Sequence, residues 1–284
     1  ARILDAMQRE DDAIAYLTAI VTVPQPDRRL QLLLARMLFE EGDLEAAKVQ
    51  YNNALMVSPN DGDVLFALAL IALEQGDDLQ AQEHLERMVR WNRRSGEAHY
   101  YLGGIAERRA DTPAALQEYG QAGEGYGFIP AQARIASLLA NDGLWEEARA
   151  HLDNLRTEKP EHRQQLILIE AQLLADRGQE QETLDFLDAI LQQEPENVEL
   201  LYYRAMTGQR FGQLDILEAD LRRVIELDPG NADALNALGY TLTDQTNRHE
   251  EALELIEKAL TIKPDEPAFI DSLGWVQYRL NNFE

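Results

Sequence analysis

The sequence predicts an all-α fold in which helical hairpins repeat along the chain as a solenoid. Two series of mostly small residues predict this fold, because both recur at intervals of 33 to 35 residues. A series of prolines predicts the same units, since each proline follows a member of the second series by twelve residues, where a helix must end. A regular interval of about 20 to 50 residues indicates a repeat architecture, in which neighbouring units stack to bury their apolar faces.

The two series mark the place where the helices of each hairpin meet. The first series is Ala35, Ala69, Gly103, Ala136, Ala171, Ala205, Gly239 and Gly274. The second is Ala13, Ala47, Ala81, Ala115, Ala148, Thr183, Leu217 and Ala252. The prolines are Pro59, Pro160, Pro195, Pro229 and Pro264. Because packed helices approach closely only where side chains are short, we expect the small residues to lie inside the hairpins.

Residues 28–61 illustrate one predicted unit. Apolar residues at helical spacing form a first helix, which ends at the glycine turn of Gly42. A second helix over 44–57 buries one face and ends before a proline. Either Asn60 or Asp61 then caps the helix that follows.

Two pairs of segments are the clearest copies of the unit. They are "LNALGYTL" with "EALELIEKALTIKP", and "RLQLLLARML" with "AAKVQYNNALMVSP". They resemble the tetratricopeptide repeat, whose pattern is W-x2-L-G-x2-Y, then A-x3-F, then P. The resemblance covers nearly the whole chain and implies a right-handed superhelical solenoid of helix-turn-helix repeats. Seven full repeats are predicted to begin at Arg28, Gly62, Gly96, Ile129, Gln164, Val198 and Ala232.

The repeat register divides the chain into four segments. Residues 1–27 are predicted to hold the second helix of a partial repeat, and residues 28–128 an N-terminal set of repeats. Residues 129–266 are predicted to form a C-terminal set, and residues 267–284 the first helix of a truncated repeat. Since a solenoid with an uncovered apolar end is seldom complete, we expect the chain to be part of a longer protein.

A glycine-rich segment separates the two sets of repeats. Gly123, Gly125 and Gly127 stand where other repeats have a helix end and a proline, in the one repeat shortened to 33 residues. No lysine follows them as in a phosphate-binding loop, so a phosphate site is excluded. Each glycine lowers helix propensity by about 1 kcal/mol relative to alanine, so we expect this helix to end early and the junction to be looser than others.

Composition excludes several classes of function. The 284 residues include 51 acidic and 26 basic residues, and the formal net charge of −25 repels nucleic acids and anionic lipids. There is no cysteine, which excludes disulfides, thiolate metal sites and cysteine nucleophiles in these residues. The longest apolar run has ten residues, whereas a membrane-spanning helix needs about 20, so no spanning segment is predicted.

No catalytic or metal-binding constellation is predicted. His84 and His151 occupy the same repeat position, which indicates packing or a surface location. His99, His162 and His249 have no histidine or carboxylate partner at the spacing of a zinc motif. None of the four serines lies in a nucleophile motif. We therefore expect a non-enzymatic protein that needs no metal or cofactor.

The resemblance also implies where a partner protein binds. In the family, first helices line a concave wall, and the inward positions here carry mainly aromatic residues and arginines, which are typical of binding hot spots. The predicted groove consists of Arg36, Phe39, Tyr100, Arg108, Tyr202, Arg210, Asn236, Tyr240, Trp275, Tyr278 and Arg279. Core packing is the alternative for each of them, although Tyr240 and Trp275 occupy the same inward position in adjacent repeats.

The occupant of this groove is expected to be an extended peptide or a folded partner. Chaperone-binding members of the family grip a terminal carboxylate with a lysine and an asparagine at fixed repeat positions. No repeat of this chain has that pair, so a chaperone-tail clamp is not expected.

A second candidate surface is the arginine-rich segment "ERMVRWNRR". It supplies Arg87, Arg90, Trp91, Arg93 and Arg94 at the end of a second helix, in place of the usual proline. One explanation is that cations complement the helix dipole, which is worth about 0.3 to 1 kcal/mol each. The other is that these residues form a docking patch for a partner.

A narrower resemblance rests on "NALGYTLTDQTNRHEEALELIEKAL" and "DSLGWVQYRLNNFE". These segments are similar to large proteobacterial outer-membrane lipoproteins with tetratricopeptide repeats, and among those to the adaptor of a periplasmic carboxyl-terminal processing protease. The resemblance implies a scaffold, held at the periplasmic side of the outer membrane by an N-terminal lipid anchor, that brings the protease together with cell-wall hydrolase substrates. The alternative is a repeat arm of a larger protein whose catalytic domain, for example a transferase, lies outside these residues.

Overall fold

The computed structural model describes residues 10–22 and 27–282. These residues form sixteen α-helices and one short 3-10 helix, with no strand among them. Backbone contacts divide the chain into two compact units, Ala1–Glu158 and Lys159–Glu284, which are described separately below. The predicted all-α class with repeated helical hairpins is confirmed. None of the described helices is both long enough and apolar enough to cross a lipid bilayer.

The described part of the N-terminal unit contains nine helices in the predicted order. They are α1 (Glu10–Val21), α2 (Arg28–Glu40), α3 (Leu44–Val57), α4 (Gly62–Glu74), α5 (Asp78–Arg90), α6 (Ser95–Arg108), α7 (Thr112–Gly120), α8 (Phe128–Asn141) and α9 (Trp145–Glu158). Consecutive helices pair as antiparallel hairpins from α2 onward. Each first helix begins within one residue of the repeat start that the sequence predicts.

The described part of the C-terminal unit contains seven α-helices after the short 3-10 helix Pro160–His162. They are α10 (Arg163–Asp176), α11 (Glu180–Leu191), α12 (Val198–Arg210), α13 (Leu214–Leu227), α14 (Ala232–Gln245), α15 (His249–Ile262) and α16 (Pro267–Arg279). The pairs α10/α11, α12/α13 and α14/α15 are hairpins, and α16 packs on α14 and α15 as the first helix of another repeat.

Local chemistry explains where the helices begin and end. At the start of α4, the Asp61 side chain accepts hydrogen bonds from the backbone N–H groups of Asp63 and Val64 at 3.0 and 3.1 Å, so Asp61 rather than Asn60 is the cap. Between α2 and α3, Gly42 has a φ of +83°, a left-handed conformation that favours glycine.

The small residues of the first series lie inside the hairpins as predicted, except for Gly274 in the last described helix, which is exposed. Its alanines are fully buried, namely Ala35, Ala69, Ala136, Ala171 and Ala205. At Gly239 a side chain would not fit, because a Cβ atom there would lie 2.7 Å from Cγ1 of Ile256 on the facing helix. The small residues therefore set the distance between paired helices.

Each unit has its own apolar core. In the N-terminal unit one cluster of buried side chains extends from Ala13 to Ile105, and a second extends from Ala115 to Leu138. In the C-terminal unit one cluster extends from Ile167 to Val276. Complete burial of a leucine or isoleucine side chain contributes about 1.5 to 3 kcal/mol, so these clusters supply most of the driving force for folding.

Ion pairs join neighbouring repeats within each unit. In the N-terminal unit they include Arg28–Asp61, Arg94–Asp63 and Arg108–Asp78. In the C-terminal unit they include Arg163–Glu194, Arg210–Asp176, Arg222–Glu251, Arg248–Glu218 and Lys263–Asp233. The partners in these pairs lie 29 to 34 positions apart in the sequence, which is about one repeat.

The glycine-rich segment packs against α6. α7 ends at Gly120, so the predicted early end of this helix is confirmed. A Cβ atom at Gly96 would lie 3.2 Å from the backbone nitrogen and oxygen of Gly123, and one at Gly127 would lie 3.0 Å from Cβ of Tyr100. These glycines therefore allow the segment to approach α6 closely. The domain boundary at residue 128 and the looser junction stay predictions.

Candidate protein-binding surfaces

In the C-terminal unit, two of the predicted groove residues line one cleft. Tyr240 of α14 and Trp275 of α16 face a cleft of about 580 Å³, which we call the C-terminal groove. Its other lining residues are Asp244, Ile270, Asp271 and Gly274. Tyr240 is 39% exposed and Ile270 is 53% exposed, so the groove presents apolar surface to solvent.

Beside this groove, three residues of α16 form an aromatic and cationic stack. The rings of Trp275 and Tyr278 are nearly parallel, with their centroids 5.6 Å apart. The guanidinium carbon of Arg279 lies 5.6 Å from the centroid of the indole ring of Trp275, within the range of a cation–π contact. These contacts hold the stack in place. Tyr278 is 58% exposed, so the stack remains accessible to solvent.

Three buried polar atoms of α14 and α16 have no hydrogen-bond partner in the described chain. They are Oδ1 of Asn236, Oγ1 of Thr241 and Nε1 of Trp275. A buried polar atom left unpaired costs about 1 to 3 kcal/mol. Of the three residues, only Trp275 lines the C-terminal groove.

The other predicted groove residues of the C-terminal unit make internal contacts. Tyr202 is half-buried against the core, and burial raises the pKa of its hydroxyl. Arg210 donates from Nη2 to Oδ1 of Asp176 at 3.1 Å and to the carbonyl oxygen of Ala175 at 3.4 Å. Neither side chain lines the C-terminal groove.

The predicted groove residues of the N-terminal unit also serve packing or pairing. Phe39 is half-buried against the core, and the ring of Tyr100 lies 5.9 Å from that of Tyr119. Arg36 pairs with Glu40 at 3.5 Å on the exposed surface.

Arg108 is held on the preceding repeat. It donates from Nη2 to Oδ1 of Asp78 at 2.5 Å, and this hydrogen bond lowers the pKa of Asp78. Its guanidinium therefore has a partner within the chain. Whether any of these N-terminal residues contacts a partner protein stays a prediction.

The predicted docking patch divides into two parts. Arg87 donates to the carbonyl oxygen of Pro59 at 2.8 Å, and Arg94 pairs with Asp63 at 3.0 Å, so these two arginines stabilise the chain itself. The remaining three residues are exposed. They are Arg90, Trp91 and Arg93, which we call the unpaired patch.

Three of the five histidines, His84, His99 and His151, make contacts inside the hairpins, and the contact made by His99 matches no sequence motif. His84 is buried, and burial lowers its pKa. Nε2 of His151 donates to Oε1 of Gln132 at 2.8 Å, and burial lowers the pKa of this histidine too. Nδ1 of His99 lies 2.7 Å from a carboxylate oxygen of Glu118, on the facing helix. The two residues lie 19 positions apart, which is not the spacing of any metal or catalytic motif. Only the relative rotation of the two paired helices could have suggested this contact.

Comparison with known proteins gives matches to one family. Two models of the tetratricopeptide repeat match this chain, one over residues 38–103 and the other over residues 1–62 and 209–267. The chain is 47% identical over 182 residues to the TPR repeat-containing protein PA4667 of Pseudomonas aeruginosa, a match that covers 64% of this chain and 31% of that protein. It is 25% identical over 230 residues to the cellulose synthase operon protein C of Pseudomonas fluorescens, covering 79% of this chain and 16% of that protein. The chain thus spans less than a third of either relative.

Among solved structures, similar chains include two bacterial proteins. A tetratricopeptide repeat protein from Parabacteroides merdae matches with a TM-score of 0.46 and 17% identity, over 88% of this chain and 98% of that one. The structure of pilF from Pseudomonas aeruginosa matches with the same TM-score and identity, over 79% of this chain and 96% of that one.

Proposed function

Because the chain belongs to the tetratricopeptide repeat family, we propose that it is a non-enzymatic scaffold that binds partner proteins, with the C-terminal groove as one binding site. The observation that carries the proposal is the arrangement of Tyr240 and Trp275 on one cleft beside the stacked Tyr278 and Arg279. Tryptophan, tyrosine and arginine are the residue types most enriched among binding hot spots.

The contrast with the other predicted positions supports this choice. Phe39, Tyr100 and Tyr202 are half-buried against their own units, whereas Tyr240 and Tyr278 keep large exposed surfaces. An extended peptide would bury the exposed rings of Tyr240 and Tyr278. This gain favours a peptide segment as the occupant.

We further propose that the scaffold is an adaptor for a periplasmic carboxyl-terminal processing protease and its cell-wall hydrolase substrates. The support is the resemblance of two C-terminal segments to such adaptors, together with the similarity to a tetratricopeptide protein of Pseudomonas aeruginosa. Binding protease and substrate to one scaffold makes their encounter effectively intramolecular and raises the local substrate concentration to about the millimolar range. This role places the chain at the periplasmic side of the outer membrane.

The alternative function is a repeat arm that serves a catalytic domain elsewhere in a longer protein. The observation that favours it is the short span of the match, which covers only 31% of the Pseudomonas aeruginosa relative. In that case the groove would bind a partner or substrate protein on behalf of the attached enzyme.

The test uses this chain with a purified carboxyl-terminal processing protease and a purified cell-wall cross-link hydrolase. We expect each protein to bind the immobilised chain, and the chain to accelerate cleavage of the hydrolase. Tyr240→Ala with Trp275→Ala should weaken binding of one of the two by about tenfold or more. The matched control is Tyr126→Ala, which removes an aromatic side chain that is 75% exposed in the N-terminal unit.

Two results would count against these proposals separately. Binding of neither protein would overturn the adaptor role and leave the scaffold role to other partners. Binding of both with equal affinity to the double variant and to the Tyr126→Ala control would remove the C-terminal groove as the site.

A further inference from the structure

Two arginines of the N-terminal unit have side chains without an ion pair or hydrogen bond in the described part of the chain. They are Arg90, the last residue of α5, and Arg93, three residues later. In a chain with 51 acidic and 26 basic residues, an arginine normally finds a carboxylate nearby. Arg94, for example, contacts both Asp63 and Glu97. The missing partners of Arg90 and Arg93 are therefore unusual for this molecule.

An exposed tryptophan lies between these arginines. Trp91 caps the C-terminal end of α5 and is 52% exposed. In the described residues, Trp145 and Trp275 are both less exposed than Trp91. A large amphipathic ring beside two free guanidinium groups is the composition of an interface rather than of a solvated surface.

The backbone that carries the unpaired patch is held in an uncommon conformation. Asn92 and Arg94 both have positive φ angles, +48° and +47°, which cost energy for residues other than glycine. Such a conformation persists only where surrounding contacts enforce it.

Backbone hydrogen bonds close this turn. The N–H of Asn92 donates to the carbonyl oxygen of Val89 at 3.0 Å, and the N–H of Arg93 donates to that of Met88 at 2.8 Å.

The side chain of Arg94 adds further contacts to the turn. The guanidinium of Arg94 donates to Oε1 of Glu97 at 2.8 Å and to Oδ1 of Asp63 at 3.0 Å. It also lies 4.0 Å from the centroid of the Phe66 ring. These contacts hold the turn in one conformation. The turn in turn fixes the backbone at Asn92 and Arg93.

A cleft beside the patch contains carboxylates that are already paired. It is lined by residues 58–63 of the preceding junction and by residues 92–94. Asp61 pairs with Arg28, and Asp63 pairs with Arg94, so neither acid neutralises Arg93. The two junctions approach closely at Gly62, where a Cβ atom would lie 2.7 Å from Cβ of Arg93.

We infer that Arg90, Trp91 and Arg93 form a second docking site, for an acidic segment of a partner protein. Arginine forms bidentate hydrogen bonds with carboxylates, and the exposed indole can cover the aliphatic part of the bound segment. The net charge of −25 repels nucleic acids and anionic membranes as a whole. A short acidic segment carries far fewer negative charges than a nucleic acid or a membrane, so this repulsion opposes its binding less. This site is independent of the C-terminal groove.

The test measures binding of short acidic peptides to the whole chain. The probes are fluorescein-labelled dodecapeptides with two glutamates spaced two, three, four or seven residues apart around a leucine, with serine elsewhere. Fluorescence anisotropy should show binding by at least one spacing, weakened by added salt. Arg90→Glu with Arg93→Glu should weaken it by about tenfold or more, and Trp91→Ala by a smaller factor.

Matched controls separate this site from general charge effects and from the groove. Arg177→Glu with Arg223→Glu makes the same change of net charge in the C-terminal unit and should leave affinity within about twofold. Tyr240→Ala with Trp275→Ala should also leave peptide affinity unchanged. Circular dichroism of each variant shows whether it is folded.

Three outcomes would overturn the inference. In the first, no peptide binds with a Kd below about 1 mM. In the second, both double charge reversals weaken binding equally. In the third, Arg90 and Arg93 instead support binding to phosphatidylglycerol vesicles while the peptides do not bind, which would assign the patch to a membrane surface.

Discussion

The ring of Tyr119 lies directly against the backbone of Gly103, so that a Cβ atom on Gly103 would come within 2.6 Å of the ring. The two residues sit on the facing helices α6 and α7, and the Tyr119 hydroxyl donates to Oε2 of Glu107 at 2.8 Å. Burial raises the pKa of this hydroxyl to about 12. An aromatic ring therefore stands where most of the other hairpins have leucine or isoleucine, and glycine makes room for it.

Gly103→Ala is expected to destabilise the N-terminal unit. The added methyl group must displace a buried ring, and overpacking of this kind costs about 1 to 3 kcal/mol. Urea denaturation followed by circular dichroism measures the change. Gly274→Ala, at the same repeat position in α16, is the matched control, because a Cβ atom there would meet no atom within 4 Å. The control should be neutral or stabilising by up to about 1 kcal/mol, and equal loss in both variants would contradict the packing argument.

Asp220→Ala is expected to destabilise the C-terminal unit strongly. Asp220 is 3% exposed and accepts two hydrogen bonds of 2.7 Å from Nε and Nη2 of Arg204. Removal of one partner leaves a largely buried guanidinium without that carboxylate, at a cost of about 3 kcal/mol. Asp188 contacts the same arginine, but its side chain is 51% exposed, so Asp188→Ala should cost less than about 1 kcal/mol. Similar thermal midpoints for the two variants would rule out the distinction.

Stability is expected to fall as the pH drops below about 6.5, the ordinary pKa of histidine, in part through His84. Burial lowers the pKa of His84 in the folded chain, so below that pH the unfolded chain binds a proton more readily than the folded chain does. Protonation therefore favours unfolding as the pH drops. His84→Leu removes this titration, and its urea midpoint should fall less than that of the wild type as the pH is lowered. An unchanged pH dependence in the variant would show that His84 makes no contribution.

Amide hydrogen exchange is expected to be faster in residues 123–127 than in the other junctions between repeats. In the described chain no backbone hydrogen bond is donated by the N–H groups of Gly123, Gly125 or Gly127. At the junction after α3, by contrast, the N–H of Asp61 donates to the carbonyl oxygen of Ser58 at 3.2 Å. Exchange reports such local opening. Rates no higher than those of residues 58–61 would argue against a looser junction.

The fold was predictable because the residues that set it are periodic. An alanine such as Ala69 must face its partner helix in every repeat, so its spacing shows both the helices and their pairing. Side-chain pairs between two helices were not predictable where their spacing does not recur from repeat to repeat. His99 with Glu118 and Arg204 with Asp220 depend on rotamers and on the exact phase of two helices, which no single periodic series encodes.

The candidate sites were predictable only as a list of inward positions. Tyr240 and Tyr100 both fit the aromatic pattern of the groove, yet one is exposed on a cleft and the other packs against Tyr101 and Tyr119. The difference arises within one hairpin, because the rings of Tyr101 on the same helix and Tyr119 on the facing helix pack around Tyr100. The pattern of inward positions does not show this packing.

Ion pairs such as Arg222–Glu251 and Arg210–Asp176 connect partners only 29 and 34 positions apart, so they tie each repeat to its immediate neighbours. In such an array the free energy of folding is a sum of local terms, and damage spreads only as far as the next few repeats. A substitution such as Gly103→Ala should therefore leave Tyr240 and Trp275 in place. Binding sites in separate units can then be lost or altered one at a time, which gives a scaffold of this construction an intrinsic tolerance to mutation.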